Sequence, residues 1–392
     1  MDLRLGRHSV SGARFATALR RPHLGLVLVM LWWAAWFLGQ ALHGGASWHF
    51  FVTGATVLSD LDDGSQGGLH VYAEHPVLQI GPLALGIAWA LARLSAGHGQ
   101  QAAELLGSGL GVVVVLLVRR IAQQALGVRD NAAAHALDRR VLLASVVFAP
   151  IWLYAAVGLT HLDDVLALAF GIAALALVQS RHTVWAGLAV AVAVDSKPWA
   201  LPFAMVLLAL PSIRMRAVAL TVAGMGVLVA WLPFFLVDPQ TVQAMHFTIA
   251  NSPRSGLRFL GVSSPRTPPW DRPLQTILGL GLAAAAVWRG RAAGIPLVVM
   301  ASRLALDPST NRYYTAGLVA GALLWDLVGS RRKWPWWSLT VLFALHIPRW
   351  VPALDRVHGL ALVSFALVAA ACVIVGKVRP VDIPPLVGGG VR

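Results

Sequence analysis

Apolar runs of about twenty residues recur from one end of this chain to the other. Residues 24–42, 217–237 and 360–376 each approach the length that an α-helix needs to cross ~30 Å of hydrocarbon. Lipid offers no water to unpaired backbone groups, so such runs satisfy their N–H and C=O groups internally, as helices. The expected fold is therefore all-α and polytopic. Composition agrees: 57% of the 392 residues are hydrophobic and 12% are charged. No long hydrophilic stretch is left over for a soluble domain.

A formal charge of +14 would suit a nucleic-acid partner only if the basic side chains shared one folded face. Here they punctuate the apolar segments, and no nucleic acid is expected. Membrane topology explains them better. Basic clusters at 4–21, 119–120, 139–140, 181, 214–216, 289–291, 331–333 and 377–379 stand at the ends of apolar stretches, which assigns them to the cytoplasm. The first apolar run is longer than the ~7–15 residues of a signal-peptide core, so an uncleaved first helix with a cytoplasmic start is expected.

Alternation of sides then places later spans at 141–158, 163–180, 183–196, 198–211, 217–237, 274–288, 293–306, 314–328, 336–347 and 357–376. Before Arg119 lie three apolar segments, 24–42, 78–95 and 102–118, where parity permits two crossings. Segment 78–95 is the one expected not to cross, because Pro76, Gly81, Pro82 and Gly86 interrupt helix continuity there. It is predicted to be re-entrant or to lie along the outer surface, leaving twelve spans. The single Cys372 excludes an intrachain disulfide and reads as a small buried hydrophobe.

On this topology every polar constellation falls on the outer face. The first loop holds four of the chain's seventeen acids, Asp60, Asp62, Asp63 and Glu74. The turn GLTHLDDVLAL opens a helix, which its aspartates would cap and whose dipole they would complement. Its second reading is functional: His161 and Asp164 are spaced to share one helical face, Asp163 points elsewhere, and ionisable groups this near a membrane mark sites by default. Two or three ligands of mixed spacing make a weak signal for a divalent metal, and no metal or other cofactor is expected.

In AVAVDSKPWALPF, Asp195 and Lys197 are either a solvated pair of little energetic value or, for Lys197, a phosphate-binding ammonium at the mouth of a cavity. The long loop 238–272 carries Arg254, Arg258, Arg266 and Arg272 among aromatics, a composition that suits a phosphate joined to an apolar chain and equally a lid resting on headgroups. The turn LDPSTNRYYTAGL brings Arg312, Tyr313 and Tyr314 to the same face, the tyrosines reading also as an aromatic belt. KWPWWS lies on the opposite side as an interfacial anchor. No phosphate-binding glycine loop or nucleotide fingerprint occurs in a suitable context, so a lipid-linked substrate fits outer-face chemistry better than a nucleotide.

The acidic first loop followed by GGLHVYAEHPVLQIGPLA, the turn HLDD, SKPWALPF, the long loop before WDRPLQ, and DPSTNRYYTAGLVAGALLWDL resemble, in this order, the GT-C superfamily of membrane glycosyltransferases. They resemble in particular the bacterial branch that includes the polyprenol-phosphate-mannose-dependent mannosyltransferases. The resemblance implies a catalytic transmembrane module over 1–237, a long outer loop over 238–273 and a variable transmembrane module over 274–392. It further implies inverting transfer of a hexose or pentose from a polyprenyl-phosphate donor to a lipid or glycan acceptor, outside the plasma membrane of a bacterium. His75, Gln79, His161, Asp163, Asp164, Lys197, Arg254, Arg258, Arg312, Tyr313 and Tyr314 become the substrate-binding candidates.

Inversion needs a base to take the acceptor's proton and cations to receive the departing phosphate. Many relatives start the first loop with an aspartate, whereas this chain has SWHFFVTGA, with Ser47 and His49 near that position. The base candidates are Asp60, Asp62, Asp63 and His49. Competing functions are a flippase of lipid-linked sugars, disfavoured by the lack of a convincing internal repeat, and a non-catalytic membrane protein of the same fold. The sequence does not indicate an oligomeric state.

Overall fold

The computed structural model describes residues 22–60, 67–330, 332 and 334–376. Asp62 and Asp63 lie outside the described residues, as do the basic clusters at 4–21 and 377–379. Among the described residues the architecture is all-helical, with one isolated antiparallel bridge between Ala250 and Arg266 and no strand.

Among the same residues, six helices are long and apolar enough to cross a membrane: Leu24–Ala41, Gly99–Ala125, Asn131–Gly158, Leu162–Gln179, Ile213–Val237 and Val357–Val375. Each falls on a segment predicted to span. The predicted spans 183–196, 198–211 and 293–306 correspond instead to shorter apolar helices, Thr183–Ser196, Pro198–Ala209 and Ala292–Leu306. Segments 274–288 and 314–328 lie within or along Asp271–Trp288 and Thr315–Val328. Segment 336–347 is broken into a short α-helix at Trp336–Thr340 and a π-helical stretch at Val341–His346.

The helices that carry the argument are labelled α1 (Pro22–Ala41), α2 (Trp48–Ser59), α3 (Pro82–Leu94), α4 (Gly99–Ala125), α5 (Asn131–Leu153), α6 (Leu162–Gln179) and α7 (Thr183–Ser196). Burial sorts them: the most apolar stretches of α5 and α6 are each 78% buried, while that of α1 has no buried residue. Leu26, Leu31 and Leu38 stand exposed on α1, whereas Asp163, Asp164, Asp195 and Arg303 are buried inside the bundle. Apolar outside and charged inside is the arrangement of a chain whose surrounding solvent is hydrocarbon.

Pro198–Ala209 is a 3-10 helix of twelve residues, although such helices rarely exceed three or four. Pro198 and Pro202 each remove a backbone donor, and Gly279 closes against Pro202, where a Cβ would come within 2.9 Å of the ring.

The two ends of the bundle differ chemically. At one end Arg119 pairs with Asp138 at 2.6 Å, Arg120 donates to Ser180 at 3.2 Å, and Arg140 donates to the Asp326 and Ser330 carbonyls at the end of Thr315–Val328. At the other, the Ser47 N–H donates to Leu159 O at 2.9 Å and the Gly81 N–H to Ser196 O at 3.0 Å. His70 joins Asp238 there at 2.8 Å. Helix α3 meets this second end at its start, through Gly81, and the Gly99 that follows it packs on Trp48 and Ala92.

Candidate functional site

The chain enters the site through distorted backbone. Helix α5 contains Pro150 and gives way to a π-helical turn at Tyr154–Gly158. Thr160 then adopts the left-handed region at φ +52°. A β-branched residue there is strained, and strain of this kind persists only where surrounding structure holds it. Its hydroxyl donates to Val157 O at 3.0 Å. The kink delivers His161 and the first turn of α6.

Both aspartates of that turn face His161. Its Nδ1 lies 3.2 Å from Asp163 Oδ1 and 3.4 Å from Asp164 Oδ2. The helical spacing predicts Asp163 on another face; instead its carboxylate folds back over the first turn, where Oδ1 also accepts the Asp164 N–H at 2.8 Å. Oδ2 of Asp163 accepts from the Lys197 ammonium.

Lys197 is extended, as a residue before proline must be, and its Nζ also donates to Gln79 O at 2.6 Å. Burial disfavours its charge, but Asp163, with Asp164, outweighs that and holds the ammonium above the usual lysine range. The solvated-pair reading therefore fails: the partner of Lys197 is Asp163, which is 0% exposed.

Asp164 Oδ1 accepts from Trp199 Nε1 at 2.8 Å, while its buried Oδ2 has no hydrogen-bond partner. The Trp199 ring carries the Arg303 guanidinium 4.8 Å from its centroid, and Tyr314 receives the same guanidinium at 4.8 Å. Arg303 approaches Asp307 at 3.5 Å and keeps Nε and Nη1 buried without a hydrogen-bond partner. Tyr313 stacks on the His161 ring, with centroids 3.7 Å apart. Both tyrosines thus belong to the cluster and not to an interfacial belt.

His161, Asp163 and Asp164 hold ligand atoms within 4.8 Å of one another, a spacing that a divalent ion fits. The ammonium on Asp163 already supplies a cation there.

The other candidates are placed differently. Gln79 contributes its backbone carbonyl to Lys197, while its side chain donates to Pro76 O and to Ala244 O at 2.9 Å. Arg312 lies over Trp350 at 3.6 Å. Arg254 is paired with Asp355, and Arg258 donates to Ser263 O at 2.7 Å, so both hold the long loop in shape and are not brought to the cluster. His75 ends the short helix Val71–Glu74, with no side-chain hydrogen bond among the described residues.

Of the base candidates, His49 and Asp60 are also apart from it. Helix α2 buries Trp48, Phe51 and Ala55 and sets Phe51 edge-on to His161 at 6.4 Å. His49 is on the opposite, exposed side against Phe50. Asp60 is exposed at the far end of α2, ~18 Å along the helix from the end that meets Leu159.

Trp199 and Arg303 are the residues of the cluster that the sequence does not single out. Arg303 had a signal, as a lone charge inside a predicted span with an acid four residues later. Comparison with protein families, with characterised proteins and with solved structures finds no match to this chain.

Proposed function

We propose that this protein is a membrane glycosyltransferase of the GT-C kind, moving a sugar from a polyprenyl-phosphate donor to a hydroxyl of a lipid or glycan acceptor, with inversion. One observation carries the reading. A half-buried ammonium and a buried guanidinium stand beside two carboxylates and a histidine, all at one end of an apolar bundle. Lys197 and Arg303 supply positive charge where a leaving phosphate gathers negative charge, and the Asp163, Asp164 and His161 group supplies acid–base capacity. Tyr313 and Trp199 give aromatic faces of the sort that line sugar sites.

The same proposal sets the chain in a bacterial plasma membrane with twelve spans, the amino terminus cytoplasmic and the cluster outside. In it, α3 lies at the outer surface without crossing. The contact of Gly81 with Ser196, together with that of Gly99 with Trp48, supports this placement of α3. A cysteine at Ser263 in a Cys372→Ala background is expected to react with a membrane-impermeant thiol reagent applied to intact cells, and one at Ala132 is not. Labelling at position 132 overturns the topology.

The activity is tested with purified protein in lipid nanodiscs, a panel of radiolabelled polyprenyl-phosphate hexoses and pentoses, and bacterial lipid extract as acceptor. Time-dependent appearance of label in a new lipid or glycan is expected. If no member of the panel yields a product, the glycosyltransferase reading fails.

A further inference from the structure

We infer that the proton acceptor of this reaction is the imidazole of His161, with Asp163 and Asp164 as the residues that position it. The inference rests on the glycosyltransferase reading and assigns the one role that the first loop leaves unfilled among the described residues.

Ionised carboxylates only accept hydrogen bonds. A histidine nitrogen set 3.2 Å and 3.4 Å from two of them therefore carries the ring proton. Fixing the proton on Nδ1 leaves the lone pair on Nε2, which makes no hydrogen bond among the described residues. The ring cannot turn freely, being stacked on Tyr313 with planes 22° apart and flanked edge-on by Phe51. This is the arrangement of a general base oriented by a third group.

Exposure separates the roles. The side chain of His161 is 15% exposed, against 0% for Asp163 and 8% for Asp164. The carboxylates are shielded, and the imidazole is their route to a substrate. Asp163 divides its oxygens between His161 and Lys197. Asp164 holds one oxygen on Trp199 and presents the buried, unpartnered Oδ2 to His161. That oxygen is the acceptor that can strengthen its contact as the ring becomes positive.

In the reaction the acceptor oxygen forms a bond to the anomeric carbon while the bond from that carbon to the donor phosphate oxygen breaks. The electron pair of the broken bond leaves with the polyprenyl phosphate toward Lys197, and the hydroxyl proton passes to Nε2. The proton then returns to water. Charged groups facing the ring and its partners are Asp163, Asp164, Lys197 and Arg303, with Tyr313 and Tyr314 neutral.

The experiment uses the full chain in nanodiscs, with the donor and acceptor that the wild type is found to use. His161→Ala is expected to lower transfer about 100-fold while donor binding, measured by filter retention of the radiolabelled lipid, changes less than about threefold. Added imidazole is expected to restore about tenfold of the lost rate, which a purely structural loss would not allow. Asp164→Asn is expected to lower kcat while donor binding is unchanged, since the ring loses a carboxylate that orients it.

Transfer by His161→Ala above about a tenth of wild type overturns the inference and leaves the functional reading standing. So does a loss that imidazole does not rescue. A wild type that transfers nothing overturns the functional reading, and the inference with it.

Discussion

Lys197→Met is expected to be the most damaging single substitution in the protein. It removes the ammonium from Asp163, which is 0% exposed, and leaves a carboxylate uncompensated in the interior. Losing one partner of a buried pair typically costs about 3–5 kcal/mol, because the remaining charge has no solvent to return to. The Gln79 carbonyl loses its donor as well. Thermal unfolding in detergent should fall by several degrees, and transfer activity should vanish.

The double variant Asp163→Asn with Lys197→Met removes both charges. It is expected to recover most of the lost stability but none of the activity, since the cation proposed to receive the leaving phosphate is still missing. A double variant no more stable than Lys197→Met would show that the two side chains are not coupled as described.

A second large effect is expected from Gly81, at the start of α3. A Cβ at this position would lie 2.0 Å from Asp195 O and 2.7 Å from the Ser196 carbonyl carbon. Both are backbone atoms, which cannot rotate aside. Gly81→Ala should therefore force the two segments apart, at a cost at or above the ~1–3 kcal/mol of ordinary overpacking. The shift reaches the site, because the Gln79 carbonyl that receives Lys197 lies two residues before.

Gly86, in the middle of the same helix, has open space around it, with nothing within 4 Å of the place a Cβ would take. Gly86→Ala should gain about 0.5–1 kcal/mol from helix propensity. Thermal midpoints of the two variants should move in opposite directions. Movement in the same direction would mean that α3 is not seated against Ser196.

The apolar runs made the helices legible, because the requirement to satisfy backbone groups in hydrocarbon acts on every residue and needs no knowledge of neighbours. Alternation of the expected spans put HLDD, SKPW and NRYY on one face, and the structure brings His161, Asp163, Lys197 and Tyr313 together. What each side chain touches was not. Arg254 and Arg258 resembled phosphate ligands by composition, yet their partners are Asp355 and a carbonyl of their own loop. The position of Asp163 departed from simple helical spacing because Lys197, 34 residues away in sequence, draws its carboxylate back.

Arg303 lies within a segment that hydropathy reads only as apolar, and its aromatic neighbours Trp199 and Tyr314 come from two other segments. Pairings of this kind arise from packing between distant elements, to which local pattern is blind.

The 3-10 stretch Pro198–Ala209 also acts as a ruler. At ~2.0 Å per residue its twelve residues reach ~24 Å, against ~18 Å for the same residues in α geometry. Three residues per turn align Ala200, Phe203 and Val206 in one straight buried column. Its first residues follow Lys197 and include Trp199, so the height of the ammonium, and of the indole that orients Asp164, is set by helix type as much as by chain length. A conversion of this strut to α-helix would withdraw both groups by ~6 Å, more than the reach of any hydrogen bond they make.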